Sequence, residues 1–395
     1  MKRAILTALL LTILVPCLNA QKKELSQART YIKSGKDYDK AEQLMTRLLD
    51  DDANRNDIKI RMTLAEAVRK QYDEINQKMY LGEKYDTVSL FNLTRKMFMA
   101  YEGIDSVDAL PDANGKVKPK LRKKNAEYIS VLRPNLFNGG IYFMRKQQYE
   151  TAYGFMETYI DCDRQPLFTG IDNGDKVKDA AYWSLFCGYK MGNADKTLRY
   201  AAVAETDTSR LDRTCRYLAE TYQNAGDTLN YISYLRKGFA RYKSDHFFYT
   251  RLVDYYNSRS QTDSALAVVD DALAVCPDDE LLLFAKSSIL LNAGDYEGCV
   301  TLCDRLIAIN DSFADAHYNA GVAYLNKAFR MERRAKSSAT AYAQIKEIYA
   351  KARPYMERYR ALRPDDKDKW AAALYNIYLR LNMGKEFEEI DRLLR

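Results

Sequence analysis

Residues 280–313 read ELLLFAKSSILLNAGDYEGCVTLCDRLIAINDSF, and the spacing inside that stretch decides the fold. Leu283, Lys286, Ser287 and Leu290 recur at helical intervals, and so do Cys299, Cys303 and Leu306. Spacings of three and four put each set on one face of a helix. Between the two sets stands Gly294-Asp295-Tyr296. Glycine adopts backbone conformations closed to other residues, so this is where the chain reverses. Thirty-four residues therefore fold as two antiparallel helices with one turn.

The same grammar returns every 34 residues. A window at Asp212 gives Cys215, Leu218, Ala219 and Tyr222, then Gly226-Asp227, then Tyr231 and Leu235. A window at His246 gives Tyr249, Leu252, Val253 and Tyr256, then Ala265, Val269 and Ala272, and closes on Pro277. A window at Ala314 opens with His317, Ala320, Gly321 and Tyr324, and one at Lys178 holds Ala181, Leu185, Gly192-Asn193, Thr197, Ala201 and Ala204. A lone hairpin cannot cover its own apolar face, whereas stacked hairpins can, and a small constant rotation between them curves the stack. Small residues such as Ala219, Ala320 and Gly321 let neighbouring helices approach.

These strings resemble the tetratricopeptide repeat, whose pattern is W-x2-L-G-x2-Y, then A-x3-F, then P. The resemblance runs unbroken over residues 178–313. It implies an all-α, right-handed superhelical solenoid of antiparallel helix pairs, and a concave surface, lined by the first helix of each pair, that binds an extended segment of a protein or peptide partner.

Outside that block the pattern continues less regularly. Leu25, Ala28 and Tyr31, followed by Gly35 to Ala41, read as a first hairpin. Ile58 to Tyr80 reads as a long helix and Val88 to Tyr101 as its partner. Gly103, Pro111, Asn114-Gly115 and Pro119 mark residues 103–119 as a loop. Leu136 to Phe143 and Tyr149 to Met156 make another pair, followed by a loop over 167–177. Between Tyr324 and Ala352 the chain has no turn signal until Pro354, which predicts a lengthened hairpin around 325–352 projecting about three extra turns. Leu374 to Leu394 is the capping hairpin, with Glu386, Glu388, Glu389, Asp391 and Arg392 on its polar side. The organisation expected is a leader over 1–20, irregular hairpins over 21–166, the 167–177 loop, the regular array over 178–313, and the extended hairpin and cap over 314–395.

Composition agrees with this reading. Glycine (17) and proline (8) are scarce in 395 residues, and a 47% hydrophobic chain can bury a large core. There are only 2 histidines, against 31 tyrosines, which argues against histidine-based acid–base or metal chemistry. No phosphate loop, nucleophile elbow or HExxH pair occurs, so neither an enzyme nor a cofactor is expected. The spacing of Cys162, Cys187, Cys215, Cys276, Cys299 and Cys303 gives no disulfide framework, and Cys299 and Cys303, one helical turn apart, read as small buried apolar residues, in preference to a metal site built from them and His317.

Met1-Lys2-Arg3, the apolar run Ala4–Leu18 and Ala20 read as a secretory signal peptide. Its removal would lower the net charge from +7 to +5. An exported, periplasmic protein is expected. The alternative is acylation at Cys17, since Leu14-Val15-Pro16-Cys17 resembles a lipobox, and an outer-membrane lipoprotein that binds glycans for nutrient uptake. The leader and the tyrosine-rich repeats resemble exported repeat proteins of Bacteroidota. Asp-Ser/Thr-aliphatic strings place Thr87, Ser106, Thr228 and Ser264 in what resembles the O-glycosylation signal of such proteins, and capping of second helices by those hydroxyls is the competing explanation.

Register along the first helices points to Arg216, Glu220, Thr250, Arg251, Asp254, Phe284, Ser288, Tyr318 and Asn319 as the concave lining. Only Arg216, Arg251 and Asn319 suit the carboxylate clamp of the family's peptide-terminus readers, and they are not arranged as that clamp. The basic runs Lys116, Lys118, Lys120, Arg122, Lys123, Lys124 and Arg330, Arg333, Arg334, Lys336 read as solvated, with peripheral membrane or envelope-complex contact as the alternative. Nucleic acid is not expected as a partner. Trp183 and Trp370 are expected in the core.

Overall fold

In the computed structural model, which describes residues 21–171, 176–334 and 339–395, every regular element is a helix. The chain divides into two compact units, residues 1–226 and 227–395. The leader and Cys17 lie outside the described residues, as does Lys336.

The first unit opens with helical residues 21–34 (α1). It continues through α2 (Tyr38–Leu49), α3 (Ile58–Tyr80), α4 (Thr87–Asp108), α5 (Arg122–Ser130), α6 (Arg133–Arg145), α7 (Tyr149–Asp161), α8 (Lys176–Lys190), α9 (Ala194–Arg199), α10 (Ala201–Ala204) and α11 (Leu211–Asn224). The second holds α12 (Thr228–Arg241), α13 (His246–Ser258), α14 (Thr262–Leu273), α15 (Glu280–Ala293), α16 (Tyr296–Ile309), α17 (Ala314–Arg334), α18 (Ala339–Leu362), α19 (Lys367–Leu381) and α20 (Gly384–Leu394). Within each unit a helix packs on the helices that neighbour it in chain order, and first helices pack on the next first helix, as α15 does on α17 and α17 on α19. Each unit is thus a solenoid segment of stacked antiparallel pairs.

The 34-residue period is written in the backbone. Second helices begin at Ala194, Thr228, Thr262 and Tyr296, each 34 residues after the last. The residues two places ahead of them, Gly192, Gly226, Ser260 and Gly294, all take a left-handed φ of 55–81°. The chain there leaves one helix and enters the next within three residues. At Gly294 the closing bond is donated by Asp295 N to Leu290 O at 2.9 Å, which satisfies a carbonyl the helix end would orphan. Asn193, Asp227 and Asp295 then cap the second helices, accepting from Lys196 N, Asn230 N and Gly298 N at 3.0 Å.

One period beyond Gly294 stands Ala328, and the helix does not turn there. Ala328 is fully buried, and α17 runs on to Arg334. It packs along α18, giving the expected lengthened hairpin with its own core of Leu325, Ile345, Ile348 and Tyr349. Gly321 lets α17 approach α18, because a Cβ there would collide with Met356 Sδ. Pro354 lies within α18, which continues past it.

Four expectations are corrected. The loop set at 103–119 starts only at Ala109, because α4 continues to Asp108. Ile104 is buried beside Ala65 and Ala100, and Asp105 takes a two-pronged hydrogen bond from Arg122 at 2.8 and 2.9 Å, so tertiary partners override Gly103. The second helix of the Lys178 window is broken at Tyr200 into α9 and α10. Capping by the glycosylation-signal hydroxyls is not what occurs: Asp86 and Asp227 are the caps, with Thr87 and Thr228 one residue inside. Ser106 lies within α4, bonded to Gly103 O, and Ser264 is the third residue of α14. Trp370 is buried as expected, but Trp183 is half-exposed. Of the 167–177 loop, Leu167 and Phe168 are buried in a short 3-10 turn, and residues 172–175 lie outside the described residues.

Candidate functional site

The first-helix face of α8 and α11 carries a ribbon of half-buried rings. Trp183, Phe186 and Lys190 stand at i, i+3 and i+7 on α8, on the side away from the buried Ala181, Leu185 and Gly188. Trp183 meets Phe186 edge to face at 5.8 Å, Phe186 meets Tyr217 of α11 at 5.7 Å, and Tyr217 meets Tyr189 at 4.5 Å. Tyr149, at the start of α7, joins Phe186 at 6.1 Å. Arg210 lies over Trp183 at one end and Lys190 over Phe186 at the other, at 5.7 and 5.5 Å. Rings so arranged interact favourably with each other and with cations at their faces, which holds the ribbon in place while part of each ring stays in solvent.

The expected lining residue Glu220 belongs to this ribbon. Tyr189 donates a hydrogen bond to Glu220 Oε2 at 2.5 Å. That bond, with burial, raises the Tyr189 phenol to about 12, and Arg216 acts against it. Burial raises Tyr217 to about 12 as well. Both phenols therefore stay protonated across the physiological range, and Tyr189 serves as a donor. Phe186 stands one 34-residue period before Glu220; extending the lining register back into the Lys178 window would have found it.

In the second unit the expected lining residues have other occupations. Thr250 donates to His246 O of its own helix at 2.6 Å, and Arg251 stacks on Phe247 at 3.8 Å. Phe284 packs on Phe313 at 5.5 Å, and Tyr318 on Tyr359 at 5.1 Å beneath Lys369. Asp254 is exposed. Asn319 is only 6% exposed and donates to Ser287 and Ser288 at 3.1 and 2.9 Å. It links α17 to α15 as a satisfied buried amide, so the structure removes it from the surface lining.

Among the described residues no group of three or more His, Cys, Asp or Glu could hold a metal ion. Cys162, Cys187, Cys215, Cys299 and Cys303 are buried and Cys276 is half-buried. His317 is 4% exposed, its Nε2 bonded to Asp311 O at 3.0 Å. No described helix is long and apolar enough to cross a membrane. Of the basic runs, Lys116, Lys118, Lys120, Lys123, Lys124, Arg333 and Arg334 are exposed. Arg122 is tied to Asp105, and Arg330 lies over Tyr296 at 4.7 Å.

No protein-family model and no curated protein matches the chain. Solved structures with similar helix arrangements include MamA protein, at 15% identity and TM-score 0.35, covering 49% of this chain and 96% of that one. The tetratricopeptide domain of P58(IPK) matches at 11% identity and TM-score 0.26, over 95% of this chain and 98% of that one. A yeast Sti1 TPR2AB domain in complex with pHSP90 matches at 14% identity and TM-score 0.26, over 81% and 98% respectively.

Proposed function

We propose that the chain is a non-catalytic scaffold, exported to the cell envelope, that holds an extended segment of a partner protein against its first-helix face. The observation that carries this reading is the half-buried ribbon Trp183–Phe186–Tyr217–Tyr189, fixed by ring-to-ring contacts and flanked by Arg210 and Lys190. Rigid aromatic side chains give large contact area at low entropy cost. The apolar run ahead of Ala20 supports export.

A glycan lectin is the weaker alternative. The rings meet at interplanar angles of 59–89° along Tyr149, Trp183, Phe186 and Tyr217, and only Tyr189 lies nearer parallel to its neighbour Tyr217, at 32°. That makes a ridged surface suited to interdigitating side chains, whereas a sugar ring stacks on a flat one.

The test compares the mature wild-type chain with a Phe186→Ser/Tyr217→Ser double variant as bait in an envelope extract. A stoichiometric protein retained by the first and lost by the second supports the reading. Equal retention by both, or retention of polysaccharide alone, overturns it.

A further inference from the structure

On the other side of the first unit, the second helices α4, α7 and α9 enclose an open groove of about 560 Å³ that includes Arg95, Tyr153, Gly154, Lys196 and Arg199 in its lining. It shares Arg95 with a second depression, of about 790 Å³, lined by the α1–α2 turn, α3 and α4. Arg95 stands at the junction.

Arg95 is held for binding. Its Nε donates to Thr158 Oγ1 at 3.1 Å, and its guanidinium lies over the ring of Phe155. It also lies against Gly154, where a Cβ would come within 2.7–2.8 Å of Nη2, Cζ and Nη1. A mid-helix glycine costs about 1 kcal/mol relative to alanine, and what it provides here is room for that guanidinium. Among the described residues the two terminal nitrogens, Nη1 and Nη2, have no partner. A second unsatisfied group lines the same groove: Tyr153 is 2% exposed, and its buried hydroxyl has no hydrogen-bond partner. Lys196 spans the Tyr153 ring at 5.3 Å and is engaged by Glu150 at 2.5 and 2.6 Å, while Arg199 is engaged by Glu157 at 3.2 Å. The neighbouring cations are thus neutralised, and Arg95 keeps its donors.

We propose that Arg95 is the receptor for one carboxylate side chain of an acidic partner segment lying in the groove between α4, α7 and α9. A guanidinium fork matches a carboxylate bidentately. With Glu150 and Glu157 offset by Lys196 and Arg199, Asp195 remains in the lining beside Arg95, a balance that suits a single carboxylate better than a dianionic phosphate. The proposal rests on the protein-binding reading and adds a second contact, centred on α4 and separate from the Trp183–Phe186–Tyr217–Tyr189 rings of α8 and α11.

The experiment uses the full mature chain and fluorescent nine-residue glycine–serine peptides, blocked at both ends. One carries two central glutamates, one two glutamines, one two phosphoserines, and one lacks central charges but ends in a free carboxylate. Anisotropy at low salt should show binding of the glutamate peptide alone. Arg95→Gln should weaken it by at least about ten-fold. Gly154→Ala, which keeps every charge but takes the guanidinium's space, should also weaken it. Phe186→Ser/Tyr217→Ser should leave it unchanged, so failure here is separable from failure of the ribbon. Each variant is checked for unchanged helicity. Equal binding of the glutamate and glutamine peptides, preference for phosphoserine or the free terminus, absence of binding, or indifference to Arg95→Gln would each overturn the proposal.

Discussion

Gly188 sets the distance between α8 and α9, and replacing it with alanine is a quantitative test of how the first unit is packed. A Cβ at Gly188 would stand 2.5 Å from Thr197 N, 2.7 Å from Lys196 C and 2.8 Å from Thr197 Cα. All three are backbone atoms of α9 and cannot rotate aside, so α9 must move by nearly an ångström to reach ordinary contact. Overpacking of this kind costs about 1–3 kcal/mol, and α9, cut short at Tyr200, has few residues over which to spread the strain. Alanine's helix propensity returns about 1 kcal/mol. The net expectation is a loss of up to about 2 kcal/mol, which at the size of this unit lowers Tm by roughly 4–8 °C. Gly103→Ala is the matched comparison. Its Cβ would also meet an atom at 2.5 Å, but that atom is Nη1 of the flexible Arg61 side chain, so this variant should melt at or above wild type. Circular dichroism at 222 nm during heating measures both. If Gly188→Ala melts with or above the wild type, or if both variants fall together, the distinction between rigid and yielding neighbours is wrong here.

Other substitutions probe other joints. Ser260 takes φ 55° where its periodic counterparts are glycine, so Ser260→Gly should stabilise the second unit by about 0.5–1 kcal/mol, and Gly294→Ser should cost a similar amount by chemical denaturation. Asn319→Ala removes the hydrogen bonds that tie α17 to buried Ser287 and half-buried Ser288 of α15 and should cost about 1–3 kcal/mol in the same assay. Burial, reinforced by Asp161, raises Glu102 from 4.5 to about 7. A carboxyl that resists ionisation when folded contributes fully below its unfolded pKa, and that contribution is lost as pH rises through 7. Glu102→Gln should therefore gain on wild type with increasing pH, by at most about 3 kcal/mol at pH 8 and by much less at pH 5, in paired melts.

The array was legible because its punctuation is local. Gly192, Gly226 and Gly294 need no tertiary partner to turn a chain, and the Asx residue after each caps whatever helix follows. The end of α4 was not legible, because Gly103 and Asp105 carry loop signals that only Arg61 and Arg122 overrule. Asn319 shares its spacing with surface residues, and its burial depends on two serines about 30 positions earlier. The ribbon was half legible: Glu220 lay in the register, but Tyr189 reaches it from the preceding pair. The Arg95 groove joins side chains 63 residues apart, across helices whose relative rotation no one-dimensional pattern fixes.

The unturned Ala328 has a bearing on how such a chain can change length. Copying or excising one 34-residue module ahead of Ala314 would splice one left-handed turn, at Gly192, Gly226, Ser260 or Gly294, to another of the same backbone form. Past that point 53 residues separate the start of α17, at Ala314, from that of α19, at Lys367, and the cadence is broken. The long hairpin therefore acts as a terminus for growth: duplications are tolerated upstream of it, while one placed downstream would have no matching seam to join.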